Sequence, residues 1–129
     1  MSSTPSSKGY LLYCGAYGKK YRLTENMVSQ SEQLSYIFLD LKTERFICDG
    51  ITENTAQMLY NWLKYHADDE EPQNQIGGSG LPVWDELFFR VQDFKTFKEL
   101  FALSVSLKIP KLNDNIKTFK KLFIDKAQT

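Results

Sequence analysis

Between Ala67 and Gly80 the chain offers nothing that a hydrophobic core can use. Asp68-Asp69-Glu70-Glu71-Pro72 is acidic and ends in a helix breaker, and Ile76-Gly77-Gly78-Ser79-Gly80 has the composition of a flexible linker. Every apolar stripe therefore lies on one side of this stretch or the other. The N-terminal side mixes strand and helix patterns, whereas the C-terminal side is helical throughout. The segment 68–80 is expected to be a surface loop, and the class follows as α+β.

On the N-terminal side, Met1 to Lys8 is small and polar, with one proline, and reads as a tail. Tyr10-Leu11-Leu12-Tyr13-Cys14-Gly15-Ala16 is rich in strand formers, and Lys19-Lys20-Tyr21-Arg22-Leu23 contains a charged and apolar alternation. The glycine-bearing link between them predicts a β-hairpin. Thr24 opens a polar stretch, after which Ser31 precedes Leu34, Ile37, Phe38 and Leu41 at helical spacing, which predicts a helix with one buried face. Arg45-Phe46-Ile47-Cys48 is a short strand closed by Asp49-Gly50. Thr52 then serves as the N-cap of a helix reaching His66, with Ala56, Leu59 and Leu63 on one stripe and Met58, Trp62 and Tyr65 beside it.

Beyond the loop, Trp84 to Val91 is short and aromatic, and Phe97, Leu100, Phe101, Leu103 and Leu107 mark a helix. Lys108-Ile109-Pro110 interrupts it, with Pro110 suited to a first helical turn. The last helix places Leu112, Ile116, Phe119 and Phe123 on one face, with Lys117, Lys120 and Lys121 elsewhere. In 129 residues, 42% hydrophobic and 25% charged, the expectation is one domain over residues 9–125, with 126–129 as a second tail.

The charges also exclude functions. Sixteen basic and sixteen acidic residues cancel, so no net field is available to hold nucleic acid. No run approaches the ~18 apolar residues of a membrane span, and the first residues lack a secretory apolar core; a cytoplasmic or nuclear protein is expected. Two separated cysteines and one histidine give no closely spaced pair of zinc ligands, and Cys14 and Cys48 read as buried thiols. His66 ends a helix, where its ring meets the helix dipole without catalytic duty. The four carboxylates at 68–71 sit on a flexible stretch that cannot hold acids or metal ligands in place. Neither an enzyme nor a cofactor is expected.

Leu81-Pro82-Val83-Trp84-Asp85, followed by Phe88, Arg90 and Val91, resembles the Pro-Val-Trp-Asp segment with which Skp-family adaptors leave an acidic loop. Trp62 and His66-Ala67-Asp68-Asp69 are similar to that family's pattern at the end of its central helix. Glu99-Leu100, Leu107-Lys108-Ile109-Pro110-Lys111-Leu112-Asn113-Asp114 and Lys117-Thr118 are similar to its Leu-Asp-Ile-Lys-x-Leu-Leu-Asp region. The ordered set spans about Gly9 to Phe123.

This resemblance implies a BTB/POZ-type fold, a small sheet packed on a helical cluster, in a subunit that bridges an F-box-like protein and a cullin in a ubiquitin ligase. The family's Ala-Ala-Asn-Tyr, which contributes to the cullin contact, corresponds here to Leu103-Ser104-Val105-Ser106. Its F-box-clamping helices lie beyond the segment matched, which leaves the apolar side of Leu122-Phe123-Ile124 to seek an F-box-like helix or a second copy of the chain. The expected partner surface comprises Val105, Ser106, Lys108, Lys111, Asn115, Phe119, Leu122, Phe123 and Ile124. The alternative is a BTB/POZ-type scaffold that homodimerises or holds a non-ligase complex together.

Overall fold

A computed structural model describes residues 9–14, 19–48, 50–67 and 83–127, the last six by their backbone alone. The chain divides into two compact units, Met1–Asp68 and Asp69–Thr129. The predicted loop at 68–80 and the tail at 1–8 lie outside the described residues; of the predicted tail at 126–129, residues 126 and 127 instead continue the last helix and the other two lie outside.

The first unit begins with the hairpin. Strands β1 (Tyr10–Cys14) and β2 (Lys19–Leu23) pair antiparallel, with Leu12 opposite Tyr21 and Cys14 opposite Lys19. Strand β3 (Arg45–Cys48) joins the other edge of β1 in parallel, giving the order β2-β1-β3. Successive side chains of a strand point to opposite faces, so Leu12, Cys14, Tyr21, Leu23 and Cys48 share the buried face while Lys20, Arg22 and Ile47 are exposed.

A parallel pair needs a crossover, and helices supply it. Thr24 caps α1 (Glu25–Val28), its hydroxyl accepting the Met27 N–H at 3.3 Å; the polar composition of this stretch had given no helix. Ser31, wholly buried, caps α2 (Glu32–Leu34) by accepting the Leu34 N–H at 3.0 Å. The chain then widens into a π-helix, Ser35–Asp40. Its wider turns alter the angular step per residue, so the stripe of Leu34, Ile37 and Phe38 stays buried while Leu41, expected on the same face, is 55% exposed. Lys42 follows at φ 58°, in the left-handed conformation common after a helix end.

Helix α3 (Glu53–Ala67) closes this unit. The Thr52 hydroxyl accepts the Thr55 N–H at 3.2 Å, as its predicted capping role requires. Ala56, Leu59, Trp62 and Leu63 are buried. Helix α1 packs on α3, where Gln30 Nε2 donates to the Leu63 carbonyl at 2.7 Å. The Tyr21 and Tyr60 rings meet at 5.3 Å, bringing β2 against the same helix.

The second unit holds α4 (Val83–Arg90), α5 (Phe94–Ser106) and α6 (Pro110–Ala127), and α6 packs against both of the others. Phe89, Phe97 and Phe119 form a triangle of rings with centroids 5.6 to 6.1 Å apart, one ring from each helix. Leu100, Leu103, Leu107, Ile109, Leu112 and Ile116 are buried with them. Asp85 is wholly buried in the first turn of α4.

Candidate functional site

The turn between α5 and α6 fixes the geometry of the surface that the sequence singles out. The Lys108 N–H donates to the Val105 carbonyl at 3.2 Å and the Ile109 N–H to the Ser104 carbonyl at 2.9 Å, the paired bonds of a Schellman motif. Its left-handed position, usually glycine, is Lys108 at φ 55°. Ile109, which follows the left-handed residue, is buried, and Pro110 starts α6 without needing an N–H partner. Asn113 Nδ2 donates to Ser104 Oγ at 3.0 Å, and Ser104 Oγ donates to the Phe101 carbonyl at 2.6 Å, tying the two helix ends together.

Several of the expected partner residues stand on this corner. Val105 is 56% exposed, and Ser106, Lys108 and Lys111 are exposed beside it. Within Leu103-Ser104-Val105-Ser106, the first two side chains face the interior and the last two face out. Asn115 is half-buried, with its Nδ2 enclosed and lacking a hydrogen-bond partner among the described residues.

Phe119 does not belong to the surface. It is 9% exposed and packs against Phe89 and Phe97, because its place three residues after Ile116 keeps it on the buried stripe of α6. Leu122, Phe123 and Ile124 continue the backbone of α6, and their side chains lie outside the described residues.

Sequence reasoning missed the other end of the same face. Counting back from Val105 by helical steps gives Ala102, Phe101, Lys98 and Phe94, all within one side of α5. Phe94 is 71% exposed, Ala102 is exposed and Phe101 is half-buried. Lys98 Nζ lies 5.3 Å above the Phe94 ring and Lys120 Nζ 5.9 Å above the Phe101 ring, each within cation–π range. The signal was available as the spacing 94, 98, 101, 105, but Phe101 was read only as one of the apolar residues that mark the helix, and Phe94 was not singled out.

This face offers apolar and aromatic side chains with ammonium groups at their edge. His66 is a core histidine, 4% exposed, its ring tilted against that of Trp62 with centroids 4.4 Å apart. Among the described residues no three side chains are grouped to hold a metal ion, and no helix is long and apolar enough to cross a membrane. A comparison with protein-family models and with curated proteins finds no match to the chain.

Proposed function

We propose that this chain is a non-enzymatic interaction adaptor of the Skp type, built on a BTB/POZ-like fold, that bridges an F-box-like protein and a cullin in the cytosol or nucleus. The observation that carries the reading is the α5 stripe from Phe94 through Phe101 and Ala102 to Val105, an apolar helix face exposed to solvent and edged by Lys98 and Lys120. An amphipathic helix fits such a face, with its apolar ridge on Val105 and Phe94 and acidic residues toward the lysines. The ordered Trp62, Trp84-Asp85 and Leu107-to-Asp114 motifs support the family, and the element order strand-strand-helix-strand-helix followed by helices is compatible with it.

A second reading is a BTB/POZ-type scaffold that pairs with another copy of itself. It is favoured by Val105 and Ser106 standing exposed where the family has Asn-Tyr in its cullin contact. Sedimentation of the chain alone, with an F-box helix peptide, and with the N-terminal repeat of a cullin separates the two. The adaptor sediments as a monomer that gains mass with either partner. A concentration-dependent dimer that ignores both would establish the scaffold instead.

A further inference from the structure

Cys14 and Cys48 are register partners on adjacent strands, each the last residue of β1 and β3. Neighbouring strands run about 4.7–4.9 Å apart, inside the Cα separation of about 4.4–6.8 Å that a disulfide spans. Residues in register on parallel strands also project to the same side, and both cysteines are buried there as free thiols, 1% and 8% exposed. They are the only two cysteines of the chain, so no other intramolecular pairing competes.

We propose that this pair is an oxidative modification site, at which a hydroperoxide converts the two thiols of the native protein into a Cys14–Cys48 disulfide joining β1 to β3. Access comes through Cys48. It ends a four-residue strand at the sheet edge, and Gly50 two residues later takes φ 85°, a turn from which a short edge strand can fray.

The two sulfurs have unequal roles. A hydrogen bond to the Cys48 sulfur, burial, and the charge of a Cys48 thiolate together push the Cys14 thiol far above its ordinary value. Cys14, the more deeply buried of the two, donates toward Cys48, whose place on the edge strand puts its sulfur first in reach of the oxidant. Cys48 gives its proton to solvent and attacks the peroxide, an S–O bond forms as the O–O bond breaks, the departing alkoxide or hydroxide takes a proton back from solvent and leaves as an alcohol or water, and Cys48 becomes a sulfenic acid. Cys14 then attacks that sulfur, the S–O bond breaks as the S–S bond forms, and the hydroxyl leaves with the Cys14 proton as water. Two thiols and one hydroperoxide thus give one disulfide, an alcohol or water, and a second water.

The experiment exposes the reduced full chain to hydrogen peroxide in native buffer, quenches it in acid, removes the peroxide, then unfolds the chain in urea and alkylates the remaining thiols under mildly alkaline conditions. Intact mass and peptide mapping should show both alkylation sites lost together and the peptides of Cys14 and Cys48 joined within one chain, reversibly with a phosphine. The oxidised chain should also unfold at higher urea than the reduced one, because residues 15–47 are then closed in a loop. Cys14→Ala should leave a Cys48 sulfenic acid that dimedone traps, and Cys48→Ala should leave Cys14 a free thiol. Recovery of both free thiols, or a bond that forms only in urea or only between chains, would overturn the proposal; the wild-type result stands even where a variant fails to fold.

Discussion

Phe94 and Phe119 carry the same side chain in one unit, and truncating each to alanine should give opposite outcomes. Phe119 is 9% exposed and shares ring contacts with Phe89 at 5.6 Å and Phe97 at 5.7 Å. Its transfer from water is worth about 1.5–3 kcal/mol, and two aromatic pairs add about 0.5–1.5 kcal/mol each. Phe119→Ala should therefore cost about 4 kcal/mol, within the range of about 3–5 kcal/mol seen when buried phenylalanines are truncated. At a urea slope of about 2 kcal/mol per M, the midpoint falls by about 2 M. Phe94 is 71% exposed, with Lys98 Nζ over its ring, so Phe94→Ala should stay within about 0.5 kcal/mol of wild type. Urea unfolding followed by circular dichroism and tryptophan emission measures both. Equal losses in the two variants, or an unchanged midpoint for Phe119→Ala, would refute the division of α5 and α6 into a packed side and a working side.

Three further outcomes follow from local geometry. Lys108→Gly should stabilise the protein by about 0.5–1 kcal/mol, because an L-residue in the left-handed region costs about 1–2 kcal/mol and glycine gives back only part through its freer unfolded chain; Lys108→Val should destabilise, and thermal unfolding reads both. Ser31→Ala should cost about 1–2 kcal/mol in urea unfolding, since it strips the buried cap from the Leu34 N–H. The Thr96 backbone N–H, then its hydroxyl and Lys95, hold the Asp93 carboxyl below its ordinary 3.8, so its contribution is full above that value and is lost as pH falls through the lowered one. Asp93→Asn, which keeps a capping oxygen, should flatten the loss of urea stability below pH 3.8 relative to wild type.

The elements most legible in the sequence are those whose pattern and punctuation agree. Alternation in Lys20-Tyr21-Arg22-Leu23, the Thr52 cap and Pro110 at a first turn each specify local structure without help from distant residues. The π-turn that exposes Leu41 was not legible, because i-to-i+5 bonding leaves no distinct signature in apolar spacing. The short helix after Thr24 was hidden for a different reason. Four residues give too little periodicity, and only the cap that accepts the Met27 N–H announces it. At the site, the family resemblance pointed to Val105 and the lysines beside it, but apolar composition cannot distinguish an aromatic residue that fills the core from one that stands on the surface. Phe119 was therefore placed both on the apolar face of the last helix and in the partner surface, and Phe94 was not singled out.

The most direct measurement of the central claim is calorimetric titration of an F-box helix peptide into the wild-type chain, Val105→Asp and Phe94→Asp. Both positions are exposed, 56% and 71%, so each variant should keep its fold by circular dichroism. A saturable one-to-one isotherm for wild type, weakened at least 10-fold by each substitution, is the predicted result, since removing an apolar anchor of an interface typically costs about 2 kcal/mol or more. Affinity identical in all three proteins, or no heat for wild type at any accessible concentration, would contradict the assignment of the α5 face as the working surface.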